Sequence, residues 1–315
     1  MRDITTNANH SQYGWVSRQL VWGCVLLAAL LAGCAGPGTK PSEPAQEEAA
    51  VEPVRRPPRI GLALGGGAAR GFAHVGVIQV LEEAGIRPAL VAGTSAGSLV
   101  ATFYASGKNG AQLQRIAETM DEATFADWTL SLLNGGLLRG EALARYVHRQ
   151  VNGRLIEDMP LPLGIVATDL KSGQGVLFQR GDAATAVRAS SAIPALFQPV
   201  RISGRDYVDG GLVSPVPVRY ARQMGAEVVI AVDISSPPEG NGVSDTLQIL
   251  LQTFTIMGQS INRLELREAD VVVRPVLHGV GSSDFGARRR AIEAGRVAMR
   301  QLLPQLKAVM EGKAR

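Results

Sequence analysis

The sequence predicts one α/β domain of three layers, with helices on both faces of a central, mostly parallel sheet. Three observations predict it. From Arg59 to Arg315 short apolar runs alternate with longer helical periods, the pattern of β-α units that bury both faces of a sheet. Two of those runs end in glycine-bearing turns that open directly into helices. The composition, 46% hydrophobic and 19% charged over 315 residues, supplies one large core and excludes a disordered chain.

The elements follow in chain order. Arg18 precedes the apolar run Leu20 to Leu31, the pattern of an export signal. Leu31-Ala32-Gly33-Cys34 closes that run and resembles a bacterial lipobox. It implies a signal peptide over residues 1–33, cut before Cys34, with the Cys34 thiol acylated. A single membrane anchor is the alternative, but roughly 14 apolar residues fall short of the ~20 that span a bilayer. With Cys24 lost in the signal and Cys34 lipidated, neither of the two cysteines is left for a disulfide, so the fold rests on its core. Residues 34–58 mix Pro37, Pro41, Pro44, Pro53, Pro57 and Pro58 with Gly, Ala, Ser and Glu, a tether whose ends lie about 25–30 Å apart as a flexible coil. The domain occupies residues 59–315, with no break and no internal repeat.

Within it, Ile60 to Leu64 is a strand ending in Gly65-Gly66-Gly67. A helix follows over Phe72–Ala84, with Phe72, Val75, Ile78, Val80 and Leu81 at helical spacing and Gly85 as its stop. Ala89 to Ala92 is a second strand, running through Gly93-Thr94-Ser95-Ala96-Gly97 into a helix over Ala96–Tyr104. Further strands are expected at Leu163–Ala167, Gly175–Phe178, Glu227–Val232 and Asp270–Arg274. Helices are expected at Gly140–Gln150, Asp182–Ser191, Val216–Met224, Val243–Leu266 and Ala287–Met310. Gly107 to Leu138 is mixed in character and is assigned no element.

The composition also bounds function. Thirty-six glycines without a three-residue period exclude collagen. A formal charge of +4 is too balanced for a nucleic-acid binder and leaves only anionic surfaces open as partners. No His/Cys/Asp/Glu cluster has metal-ligand spacing.

Gly93-Thr94-Ser95-Ala96-Gly97 fits G-x-S-x-G, an elbow that exposes a serine oxygen between strand and helix and needs small neighbours because the backbone is strained. The plainer alternative is a turn serine capping a helix. A nucleophilic serine needs a base, and an order Ser95, Asp209, His278 would give a serine-acid-histidine triad. His148 is the other downstream histidine, while His74, on a helix face without an acid near it in sequence, is expected to be packed or solvated. Gly65-Gly66-Gly67-Ala68-Ala69-Arg70-Gly71 fits neither a dinucleotide loop, since Arg70 stands where the last glycine belongs, nor a Walker loop. It could converge several N–H groups on one oxygen beside a fixed charge, or it could be an ordinary turn with a surface arginine. Asp209-Gly210-Gly211 alone is a common turn. The helical arginines Arg288, Arg289, Arg290, Arg296 and Arg300 are expected to form a solvated face, a contact with anionic headgroups being the alternative.

Taken together, Gly66-Gly67-Ala68-Ala69-Arg70-Gly71, Gly93-Thr94-Ser95-Ala96-Gly97 and Asp209-Gly210-Gly211 resemble the three motifs of the patatin-like phospholipase family. Ala167-Thr168-Asp169-Leu170 and Arg188-Ala189-Ser190-Ser191-Ala192-Ile193-Pro194 extend the resemblance over about Arg59 to Asp233. It is similar to the bacterial branch related to neuropathy target esterase, with Ala68 in place of one loop glycine. The resemblance implies a patatin-like fold and a Ser95–Asp209 dyad without histidine. It further implies an oxyanion hole of Gly66, Gly67 and Ala68 N–H groups with Arg70, and no metal or cofactor. The expected substrate is a phospholipid or lysophospholipid, cleaved through an acyl-serine. The alternatives are a short-chain carboxylesterase using the triad and a lipoprotein that only binds lipid or a partner. Cys34 would anchor the protein in the cell envelope, and Ala35 after it resembles the signal for outer-membrane transfer in an organism with two membranes.

Overall fold

The structure, a computed structural model, describes residues 56–120, 138–238 and 245–315. The expectations for the signal peptide, Cys34 and nearly all of the tether lie outside the described residues. Eight strands form one sheet: β1 Ile60–Leu64, β2 Leu90–Thr94, β3 Leu163–Asp169, β4 Gly175–Phe178, β5 Val200–Ile202, β6 Arg205–Asp209, β7 Val228–Val232 and β8 Val271–Val273. They are bonded in the order β5-β6-β3-β2-β1-β7-β8, with β4 also pairing β3. The run from β3 to β8 is parallel, whereas β4 and β6 run antiparallel to β3.

Strands β1, β2, β3 and β7 are buried along their whole length, which is why they read as unbroken apolar runs. Their alternation sorts residues between two cores. Leu62, Leu64, Val228, Ile230 and Val232 pack with helices α1 (Phe72–Glu83), α2 (Ala96–Ala105) and α8 (Arg288–Lys313). Ala63, Ala92, Val229 and Ala231 turn the other way and, being mostly small, let α6 (Val218–Gln223) lie close. Helix α8 crosses α1 so tightly that a Cβ on Gly76 would overlap the Ile292 carbonyl and one on Gly295 the Ala73 carbonyl.

The remaining α-helices among the described residues are α3 Gly110–Thr119, α4 Glu141–Gln150, α5 Ala183–Ser190 and α7 Thr246–Glu265. Helix α3 falls in the stretch left unassigned by sequence, opened by an Asn109/Gln112 capping box. The β5–β6 hairpin was not expected at all. Helix α7 starts three residues later than expected, where the Asp245 side chain caps it, and α8 runs on to Lys313.

The solvated-face reading of the α8 arginines is corrected for two of them. Arg288 donates to the Ala117 and Glu118 carbonyls at 3.3 and 2.7 Å, and Arg296 to Gln79 and Glu83 at 2.9 and 2.8 Å. They clamp α8 onto α1 and α3. Arg290 bonds the Gly279 carbonyl, and Arg289 and Arg300 lie 3.8–3.9 Å from acids at the surface, where such pairs contribute little.

Candidate active site

Strand β2 ends at Thr94 and α2 begins at Ala96, so Ser95 makes the whole turn, at φ 52° and ψ −124°. That conformation costs of order 1–3 kcal/mol and persists only where neighbours impose it. Here they do. The Ser95 N–H donates to Ser190 Oγ at 2.9 Å, and Ser190 Oγ donates to the Val166 carbonyl at 2.6 Å. Thr94 Oγ1 donates to the Ser214 carbonyl at 2.9 Å. A Cβ on Gly97 would overlap the Leu64 carbonyl, and one on Gly93 would collide with Gly97, so both glycines are set by close backbone approach.

Register brings the acid to the serine. Thr94 at the end of β2 pairs with Val166 of β3, and Asp209 at the end of β6 pairs with the next residue, Ala167. Because β4 also pairs residues 165–168, β2 and β6 must share the opposite edge of β3. There β2 runs parallel and β6 antiparallel to β3, so their C-terminal ends meet head to head. Gly210 fits the junction: a Cβ on it would overlap the Val166 carbonyl and come 3.1 Å from the Thr94 side chain.

Asp209 is 7% exposed and Ser95 9%. Burial pushes the Asp209 carboxyl up to about 6, against the lowering influence of the Gly211 N–H, 2.7 Å from Oδ1, and of the nearby Ser95 hydroxyl. The carboxyl is therefore a better base than a solvated aspartate and is still ionised at neutral pH.

Over the serine lies the glycine loop, with a Cβ built on Gly66 only 3.2 Å from Ser95 Cβ and one on Gly71 2.9 Å from Ala96 Cβ. The Gly65 N–H is used by the Val232 carbonyl at 3.0 Å and the Ala69 N–H by Ser282 at 3.0 Å. The expected role of Gly66 as an oxyanion donor is corrected: its N–H is spent on the Pro215 carbonyl at 2.9 Å. Gly67 and Ala68 keep N–H groups without a partner among the described residues. Ala68 sits at φ 50°, so the position does need the left-handed conformation that glycine supplies without strain. Arg70 lines the same cavity; burial lowers its pKa while Asp233 raises it, and its Nε is buried without a partner among the described residues.

The histidines lie elsewhere. His278 and His148 are exposed and line no part of this cavity, so neither completes a triad with Ser95 and Asp209. His74, expected to be packed or solvated, is fully buried and donates from Nε2 to the Gly65 carbonyl at 2.8 Å. Burial pushes it down to about 4, leaving a neutral ring that braces the loop. Among the described residues no group of three or more His, Cys, Asp or Glu could hold a metal ion.

Ser95, Asp209, Gly67, Ala68 and Arg70 open into a cavity of ≈ 1180 Å³, at or above the upper end for small-molecule sites. Leu99, Phe103, Leu113, Ile116, Leu143 and Phe197 give it apolar walls, and α7 closes another side. Sequence reasoning missed Ser190 and His74 as supports. The only signal was that Ser190 lies in one of the matched motifs.

Comparison with known proteins agrees with this layout. A family model described as patatin-like phospholipase matches residues 62–222. An uncharacterized NTE family protein of Mycobacterium tuberculosis is 38% identical over 196 residues, 58% of this chain and 51% of that one. Mouse patatin-like phospholipase domain-containing protein 6 is 34% identical over 186 residues, 57% of this chain and 14% of that protein. The chain thus spans about half the length of the mycobacterial relative. Among solved structures, VipD from Legionella pneumophila superposes with a TM-score of 0.52 at 17% identity, over 79% of this chain and 67% of that one, a likeness of fold alone.

Proposed function

The chain belongs to the patatin-like phospholipase family, and from that premise and the site's geometry we propose a serine acyl hydrolase acting on phospholipids or lysophospholipids through a Ser95–Asp209 dyad. One observation carries the reading: Ser95 and a buried, pKa-raised Asp209 carboxyl line one largely apolar cavity with Gly67 and Ala68, whose N–H groups have no partner among the described residues.

Asp209 takes the hydroxyl proton as Ser95 Oγ attacks the ester carbonyl. The resulting oxyanion is held by the Gly67 and Ala68 N–H groups, with the Arg70 charge beside them. Collapse expels the glycerol oxygen, which recovers the proton from Asp209 and leaves an acyl-serine. Water, deprotonated by the same carboxylate, then releases the fatty acid. The cavity's apolar walls suit the acyl chain and exclude bulk water from the charged intermediate.

Cys34 belongs to the same proposal as the lipid attachment point, placing the enzyme in the envelope membrane beside its substrate. Palmitate labelling lost on Cys34→Ser supports that address, and a mature N-terminus elsewhere contradicts it. For the activity, the full chain incubated with phosphatidylcholine and lysophosphatidylcholine vesicles should release fatty acid, read by mass spectrometry, and Ser95→Ala should release none. Release by both proteins, or by neither, would refute it.

A further inference from the structure

Helix α7 carries large apolar side chains on both faces. Leu251, Phe254, Gln252, Thr255, Gln259 and Asn262 line the cavity, and Gln252 and Gln259 also hold the Pro238 and Ser236 carbonyls. Ile249, Leu250, Ile256, Met257 and Leu264 are 39–65% exposed. At about 100° per residue these five fall within an arc of about 120° opposite the cavity face. A surface helix of a globular protein normally turns polar residues outward. Most of the large hydrophobics exposed among the described residues lie on this one helix, too concentrated to be scattered surface apolar groups.

Resting on the hydrolase reading above, we propose that the outward face of α7 is the membrane-docking surface of the enzyme, lying in the bilayer interface while its inner face walls the acyl cavity.

The chemistry selects a lipid surface over a charged partner. From Thr246 to Leu264 the only charged residue is Arg263, with Thr253 and Ser260 the polar residues between the aliphatics. Arg263 and Arg267, both exposed, stand at the helix's C-terminal end, where they complement anionic headgroups. No helix among the described residues is long and apolar enough to cross a membrane, which fits a helix lying in the interface plane. The inner end of α7 is also tied to the catalytic loop. Glu265 Oε1 accepts from Ser214 Oγ at 2.6 Å, and the next residue, Pro215, holds the Gly66 N–H. A lipid leaving the bilayer along this helix thus enters the cavity without crossing water.

Two measurements on the full chain test it. Ile249→Glu, Ile256→Glu and Met257→Glu combined should cut hydrolysis of phosphatidylethanolamine–phosphatidylglycerol vesicles about 10-fold or more, because interfacial binding scales with buried apolar area. Hydrolysis of a soluble short-chain ester should stay within about twofold, since these side chains face away from the cavity. Independently of activity, Met257→Trp in a Ser95→Ala background should gain blue-shifted emission in the presence of vesicles and be quenched by bromine-labelled lipid. An unchanged vesicle-to-ester ratio, no quenching at residue 257, or a dimer that the triple substitution converts to monomer would each overturn the proposal. If the parent cleaves neither substrate, the hydrolase reading falls and the quenching alone decides docking.

Discussion

Ser95 and Ala68 line the same cavity, and both are non-glycine residues held at positive φ, 52° and 50°. Their surroundings differ. The elbow is braced by Ser190, by the Gly97 contact with β1 and by the β3 edge that carries Asp209. The glycine loop is held at its ends, through Gly65, Gly66 and Ala69, and Ala68 itself is exposed. In the proposed dyad, strain at Ser95 is bound up with function because its side chain would be the reagent. At Ala68 the backbone conformation is required and the methyl group is not.

Substitutions at the two positions separate their roles. The largest effect is expected at the reagent: Ser95→Ala should lower ester hydrolysis by about 10⁴ or more, measured as kcat/KM. Asp209→Asn should lower it by ~10² or more. It should also stabilise the fold. The native carboxyl, raised to about 6, binds its proton more tightly than the unfolded one at ~3.9. Its contribution is therefore full below about pH 4 and lost as pH rises through 6, so removing the charge should add up to about 2–3 kcal/mol at pH 8 in denaturant titrations. Loss of stability would contradict the buried-carboxyl account.

Bracing comes next. Gly97→Ala drives a methyl into the Leu64 carbonyl and should cost about 3 kcal/mol or more, seen as a lowered Tm. Ser190→Ala leaves the Ser95 N–H and the Val166 carbonyl without their partner and should cost about 1–3 kcal/mol, with kcat reduced more than KM is raised. Ala68→Gly should do least. Relief of about 1–2 kcal/mol of left-handed strain is offset by about 0.5–1 kcal/mol of glycine chain entropy, so stability should rise by no more than about 1.5 kcal/mol with activity within a few-fold. A large effect there would erase the distinction.

The sequence made legible whatever is local. The β1–loop–α1 unit and the Ser95 elbow appear within contiguous stretches, where periodicity and glycines report directly on strand, turn and helix. The meeting of Ser95 with Asp209 does not, because it is decided by two strands sharing one edge of β3, and the β5–β6 hairpin that delivers Asp209 is too short to show a pattern. For the same reason the loss of the Gly66 donor was invisible, its acceptor being Pro215, far along the chain. His74 could be placed on a helix face but not at the Gly65 carbonyl. The apolar spacing of α7 correctly signalled a helix, yet period alone cannot say which face meets the protein.

Whether Asp209 activates Ser95 without a histidine is read by the rate of Ser95 labelling by a fluorophosphonate, with no knowledge of the substrate needed. The labelling rate of the parent should rise with pH through an apparent pKa near 6 and reach a plateau, with the adduct mapped to Ser95. Asp209→Asn should slow it by ~10² or more and His278→Ala should leave it unchanged. Slow labelling in His278→Ala with fast labelling in Asp209→Asn would contradict the dyad.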